Sequence, residues 1–78
     1  MLVTVTLFGP LRRHGSSVSC EVAADARVAE LRDALLPRLG HDPLLASCVL
    51  ANERSVLSEE GRLVEGESYA LLPPVCGG

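Results

Sequence analysis

Val28-Ala29-Glu30-Leu31-Arg32-Asp33-Ala34-Leu35-Leu36-Pro37-Arg38-Leu39-Gly40 sets the architecture of the chain. Val28, Leu31, Leu35 and Leu39 recur at offsets of three, four and four, which draws an apolar stripe down one face of a helix. Glu30, Arg32, Asp33 and Arg38 fall on the other faces. Pro37 interrupts this pattern and predicts a distorted or shortened last turn, because it removes a donor and crowds the preceding turn. Gly40 supplies a C-terminal stop. The start is weakly specified: Ala26 or Arg27 occupies the expected cap position, and Asp25 is the only good capping residue nearby.

On the N-terminal side of the helix, Leu2 to Phe8 alternates Val3, Val5 and Leu7 against Thr4 and Thr6, the pattern of a half-buried strand. Gly9-Pro10 ends it, Leu11 to Ser16 reads as a loop, and Ser17 to Val22 alternates again as the antiparallel partner in a long-looped hairpin. On the C-terminal side, after Asp42-Pro43, Ala46 to Ala51 reads as a third strand. Asn52-Glu53-Arg54 is a turn and Ser55-Val56-Leu57 a short strand. Gly61 and Gly66 bracket a further turn region before a final strand over Glu67 to Leu72. One helix packed on one face of a mixed sheet of four to five strands, without repeat or linker, predicts an α+β fold of the β-grasp type. The expected division is a β-grasp domain over 1–72 and a flexible C-terminal tail over 73–78.

The whole chain, 78 residues and 8.2 kDa, has room for a single domain. At 47% hydrophobic and 22% charged it reads as globular rather than disordered. The longest apolar runs, such as Ala70 to Leu72, fall far short of the ~20 residues of a membrane helix. No basic region precedes an apolar stretch at Met1-Leu2-Val3, so the expectation is a cytoplasmic protein with no membrane association. The formal charge of −3, seven arginines against ten carboxylates, implies no basic face and argues against nucleic acid as a partner. Phe8 and Tyr69 are the only aromatic residues, too few for base stacking. No lysine is present, so no side-chain amine can form a Schiff base or accept another protein's C-terminus.

Cys20, Cys48 and Cys76 are widely spaced and form no CxxC, and His14 and His41 do not complete a metal-ligand pattern, so no metal is expected. Alternation puts Cys20 on a face with Val18 and Val22, and Cys48 on one with Ala46 and Leu50, as small buried hydrophobes. Both histidines fall in predicted loops without a serine and aspartate context and read as solvated. Glu59-Glu60 reads as a solvated charge cluster. Arg12-Arg13-His14 could bind a phosphate or an acidic partner, although a short basic loop is usually plain surface. Neither GxGxxG nor a Walker A sequence occurs.

The remaining feature is Leu71-Leu72-Pro73-Pro74-Val75-Cys76-Gly77-Gly78. The prolines cannot join a ladder and stiffen the exit from the last strand. Six residues from Pro73 reach roughly 20 Å when extended, at ~3.3–3.6 Å each. Two glycines without Cβ atoms can enter a narrow channel and present an unhindered carboxylate. A frayed tail would explain the glycines, but not the Pro-Pro-Val lead. For a partner surface the expectation is the tail together with apolar residues beside it, Phe8 and Leu71 or Leu72, with one of the two leucines turned to the core by alternation.

At these residues the chain resembles the ubiquitin-like sulfur carriers, and most closely the small subunits of molybdopterin synthases. The resemblance spans essentially the whole chain. It is strongest at Leu63-Val64-Glu65-Gly66-Glu67 and Leu72-Pro73-Pro74-Val75-Cys76-Gly77-Gly78, with Val22-Ala23-Ala24-Asp25 and Val28-Ala29-Glu30-Leu31-Arg32 also similar. It implies a ubiquitin-like β-grasp fold and an activity centred on the Gly78 carboxylate. An adenylyltransferase related to ubiquitin-activating enzymes would adenylate that carboxylate with ATP, and sulfur transfer would then make a thiocarboxylate. The tail, Pro73 to Gly77, would insert into a large subunit and donate sulfur to a pterin precursor for the molybdenum cofactor. The expected assembly is a heterotetramer. The chain would bind no cofactor itself and would be a carrier, not an enzyme, since an acyl-adenylate has the leaving group that a free carboxylate lacks. Cys76 departs from the Ala or Ser usual in the family, and is expected to be a tolerated small residue.

Carriers of the same fold serve thiamin, tRNA thiolation, cysteine or siderophore assembly, and only Pro-Pro-Val favours the pterin pathway. A protein modifier joined through Gly78 is a second class, and a pure interaction module a third. A β-grasp ferredoxin is disfavoured, because three cysteines cannot supply four cluster ligands.

Overall fold

The computed structural model describes residues 1–74. Strand β1 (Leu2–Leu7) leads through a 3-10 helix (Gly9–His14) into β2 (Ser17–Glu21). Helix α1 (Val28–Arg38) follows, then a second 3-10 helix (Pro43–Ser47), β3 (Val49–Ala51) and β4 (Tyr69–Leu72). The four strands form one mixed sheet in the order β2-β1-β4-β3. The central pair, β1 and β4, is parallel, with Val5 opposite Tyr69 and Leu7 opposite Leu71, and both outer pairs are antiparallel. This is the ubiquitin-like β-grasp fold.

Alternation in β1 buries Val3, Val5 and Leu7 and exposes Leu2, Thr4 and Thr6. The buried set meets Val28, Leu31, Leu35 and Leu39 of the helix stripe in one core with Leu50 and Leu71. The opposite face of the sheet is open, and on it Thr4 Oγ1 and Ser19 Oγ lie 3.1 Å apart. Pro37 is accommodated one residue before the end of α1. The C-terminus closes with His41 N–H on Leu36 O (2.8 Å), Gly40 N–H on Pro37 O (3.4 Å) and Gly40 at φ +64°, which is the Schellman arrangement expected after a helix. Asp25 is not the cap. Arg27 N–H donates to Glu30 Oε1 (2.9 Å), Val28 N–H to Gly61 O (2.8 Å) and Ala29 N–H to Glu59 O (3.0 Å). A distant loop therefore satisfies donors that a local side chain would otherwise have to meet.

Four further sequence expectations are corrected, one of them the final strand, which begins at Tyr69 and not at Glu67. The segment read as the loop Leu11 to Ser16 is largely a 3-10 helix with Pro10 in its first turn, where a missing N–H costs nothing. The third strand begins at Val49, not Ala46: Asp42 Oδ1 accepts from Leu44 N–H (3.0 Å) and Pro43 opens a 3-10 helix that takes up Ala46 and Ser47. Ser55-Val56-Leu57 contributes a single bridge, Val56 to Ala51, with Leu57 N–H on Leu50 O (2.8 Å). The Asn52 turn is as expected, its Oδ1 accepting from Arg54 N–H and Ser55 N–H (2.8 and 2.9 Å).

Candidate functional site

Strand β4 hands the chain to Pro73 from the middle of the sheet, with β1 on one side and β3 on the other. The register sets what frames that exit. Leu71 lies opposite Leu7 and Leu50 and is fully buried, so it belongs to the core and is withdrawn from the partner surface. Leu72, opposite Val49, is half-buried on the open face. Phe8 continues the extended backbone of β1 at φ −129° and ψ 159°, one residue beyond Leu7, which places it on the open face as well. Phe8 and Val49 are 43% and 40% exposed, high for large apolar side chains, and with Leu72 between them they form an apolar row at the root of the C-terminal segment. Val49 was not foreseen, because its pairing with Leu72 joins residues 23 positions apart and no local pattern shows it.

Gly9 stands beside the exit. Its φ is +58°, and a methyl group placed on it would lie 3.0 Å from Pro73 Cγ. The turn that Gly9 opens is pinned twice: Leu11 is fully buried, and the far end is clasped by Asp42. Asp42 is 5% exposed; its Oδ2 accepts from the Arg13 guanidinium and lies 2.9 Å from His14 Nε2, while Oδ1 takes Leu44 N–H. The bonds from His14, Leu44 N–H and Arg13 together hold the Asp42 carboxyl down at about 2. His14, read from sequence as a solvated loop residue, and half of the basic Arg12-Arg13 pair are thus spent on an internal carboxylate.

The other candidates lie away from the exit. His41 is exposed at φ 56°. Glu59 is not simply solvated: Arg32 Nε and Nη2 hold its two carboxylate oxygens at 2.9 Å each, which lowers its pKa. Cys20 and Cys48 are buried as expected, and burial raises both thiols. Among the described residues there is no cavity, no cluster of three potential metal ligands, and no helix long and apolar enough to cross a membrane. Val75, Cys76, Gly77 and Gly78, on which the sequence expectation centres, lie outside the described residues.

A sheet with a parallel central pair, one helix across it, and a chain exit framed by apolar side chains define a ubiquitin-like β-grasp protein. The chain is 33% identical, over 100% of both chains and with a TM-score of 0.72, to a chain in the complex of subunits 1 and 2 of molybdopterin-converting factor from Helicobacter pylori. It belongs to the ubiquitin-like β-grasp sulfur-carrier family. SAMP1 from Haloferax volcanii superposes with a TM-score of 0.82 at 21% identity over 100% of both chains. A chain of the Amycolatopsis orientalis BexX/CysO complex gives 0.71 at 24% identity, over 97% of this chain and 99% of that one. These last two likenesses concern the fold. No family model and no curated protein sequence matches the chain.

Proposed function

We propose that this protein carries sulfur on Gly78 for molybdopterin synthesis. The Gly78 carboxylate attacks the α-phosphate of ATP on an activating adenylyltransferase, with loss of pyrophosphate. Hydrosulfide, or a donor delivering sulfur at the same oxidation level, then attacks the acyl carbon and displaces AMP, leaving a thiocarboxylate. The tail enters a large synthase subunit and passes the sulfur to a pterin precursor. The chain's own contribution is presentation: a stiff Pro73-Pro74 lead, small residues behind it, and the Phe8, Leu72 and Val49 row as an anchor beside the inserted segment. The observation that carries the pathway is the full-length 33% identity to a chain of a molybdopterin-converting factor complex, taken with Pro73-Pro74-Val75-Cys76-Gly77-Gly78. Thiocarboxylated protein mixed with the large subunit and the pterin precursor is expected to yield the dithiolene product in proportion to sulfur lost. Sulfur retained on the carrier in that mixture, but released to another acceptor, would assign a different pathway.

A protein modifier is the second reading, favoured by likeness to small archaeal modifier protein 1 of Haloferax volcanii. It predicts higher-mass conjugates in a lysate that vanish when Gly77 and Gly78 are deleted; the carrier reading predicts none.

A further inference from the structure

We infer that Gly9 is a positioning residue for the C-terminal segment: it forms the seat on which Pro73 rests, and that seat sets the direction in which the chain leaves β4. The consequence for sulfur transfer rests on the carrier reading; the contact itself does not. Two properties of Gly9 matter. Its φ of +58° turns the chain at the end of β1 in a conformation that most side chains disfavour. Its missing Cβ leaves room for Pro73 Cγ, which would stand 3.0 Å from a methyl group there, inside the ~3.5–4.0 Å of ordinary carbon contact.

If a side chain is added at residue 9, one partner has to yield by a few tenths of an ångström. The turn is the firmer of the two. Leu11 N–H donates to Phe8 O (3.2 Å), Gly15 N–H to Arg12 O (3.0 Å), Leu11 is fully buried, and Asp42 holds Arg13 and His14. Pro73 is half-buried and is followed by exposed Pro74. Leu72 and Pro73 each precede a proline and are therefore confined to extended backbone, and each proline fixes its own φ. Whatever displacement of Pro73 a change of ring pucker does not take up is then passed along the segment rather than absorbed by its backbone. Activation and insertion both select conformers in which the tail points into the partner, so a redirected segment lowers the competent fraction.

The test separates clearance from backbone conformation. Asparagine tolerates a positive φ, so Gly9→Asn keeps the turn and adds a Cβ against Pro73. Gly9→Asn is expected to fold with the wild-type amide spectrum outside the turn. It should raise the KM of the carrier in the activation reaction about tenfold, with kcat within about twofold. Pro73→Ala, which removes the ring that the new side chain meets, should restore the double variant to the KM of Pro73→Ala alone. A merely structural role would move stability and leave no such dependence on Pro73. Wild-type KM in Gly9→Asn, or an equal rise in both backgrounds, would overturn the inference. If wild-type protein gains no sulfur, the carrier reading fails, and the seat is judged by the nuclear Overhauser contact from Gly9 Hα to Pro73 Hγ. Its presence, with loss in Gly9→Asn, sustains the inference; its absence in the wild type overturns it.

Discussion

Asp42 gathers donors from two distant parts of the chain, Arg13 and His14 from the first 3-10 helix and Leu44 N–H from the second. Its carboxyl lies at about 2 in the folded protein, against ~3.9 for an unperturbed aspartate. A depressed carboxyl stabilises the fold fully above its unfolded pKa, and that contribution is lost as pH falls through the folded value. Asp42→Asn should therefore melt below wild type at pH 7, with the gap closing between about pH 5 and 2. Melting curves across that range check it, and a gap independent of pH would contradict the assignment. None of this was legible beforehand, since the partners are 28 and 29 residues away and no local pattern links them. The cap role of Asp42 had a local signal that went unread, since aspartate before proline is a common helix start. At the tail, Cys76→Ala should leave the rate of thiocarboxylate formation unchanged. A free cysteine thiol, at ~8.5, offers little thiolate near neutral pH to attack the adenylate in cis, and a sharp loss of rate would give the cysteine a chemical part.

Among the elements, α1 was the easiest to read and carries much of the core. Leu35 is fully buried, at 0% exposure, so Leu35→Ala should cost about 2–5 kcal/mol in denaturant unfolding. The Arg32–Glu59 pair is bidentate but Glu59 is 46% exposed, so Glu59→Gln should cost only ~0.2–1 kcal/mol and lose its effect in high salt. A salt-independent cost of several kcal/mol would show that the pair, and not the loop carbonyls of Glu59 and Gly61, holds the helix start. That start looked uncapped in sequence because two of its acceptors, Gly61 O for Val28 and Glu59 O for Ala29, lie 33 and 30 positions further on. β1, β2 and β4 were legible through alternation. β3 was legible over Val49–Ala51 but its start was not, because Ala46 to Cys48 alternates well enough for a strand while Asp42-Pro43 directs Pro43–Ser47 into a 3-10 helix. The Ser55 to Leu57 segment alternates without neighbours on which to build a ladder, and only Val56 bridges.

For the molecule as a whole, the parallel β1–β4 pair puts the chain exit at the centre of the sheet, beside the apolar row of Phe8, Leu72 and Val49. Replacing Phe8 by Ala and Val49 by Ser should weaken binding to the proposed large subunit about tenfold while lowering the melting temperature less than Leu35→Ala does, since both side chains are partly exposed. Calorimetric titration measures the first and thermal melting the second; equal loss of both would place the row in the fold rather than the interface. The central claim concerns Gly78. Intact-protein mass spectrometry after incubation with the activating adenylyltransferase, ATP and a sulfur source tests it most directly. The account predicts a mass gain equal to one oxygen replaced by one sulfur, localised by fragmentation to Gly78. An unchanged mass, with the same enzyme charging another carrier in parallel, would contradict it.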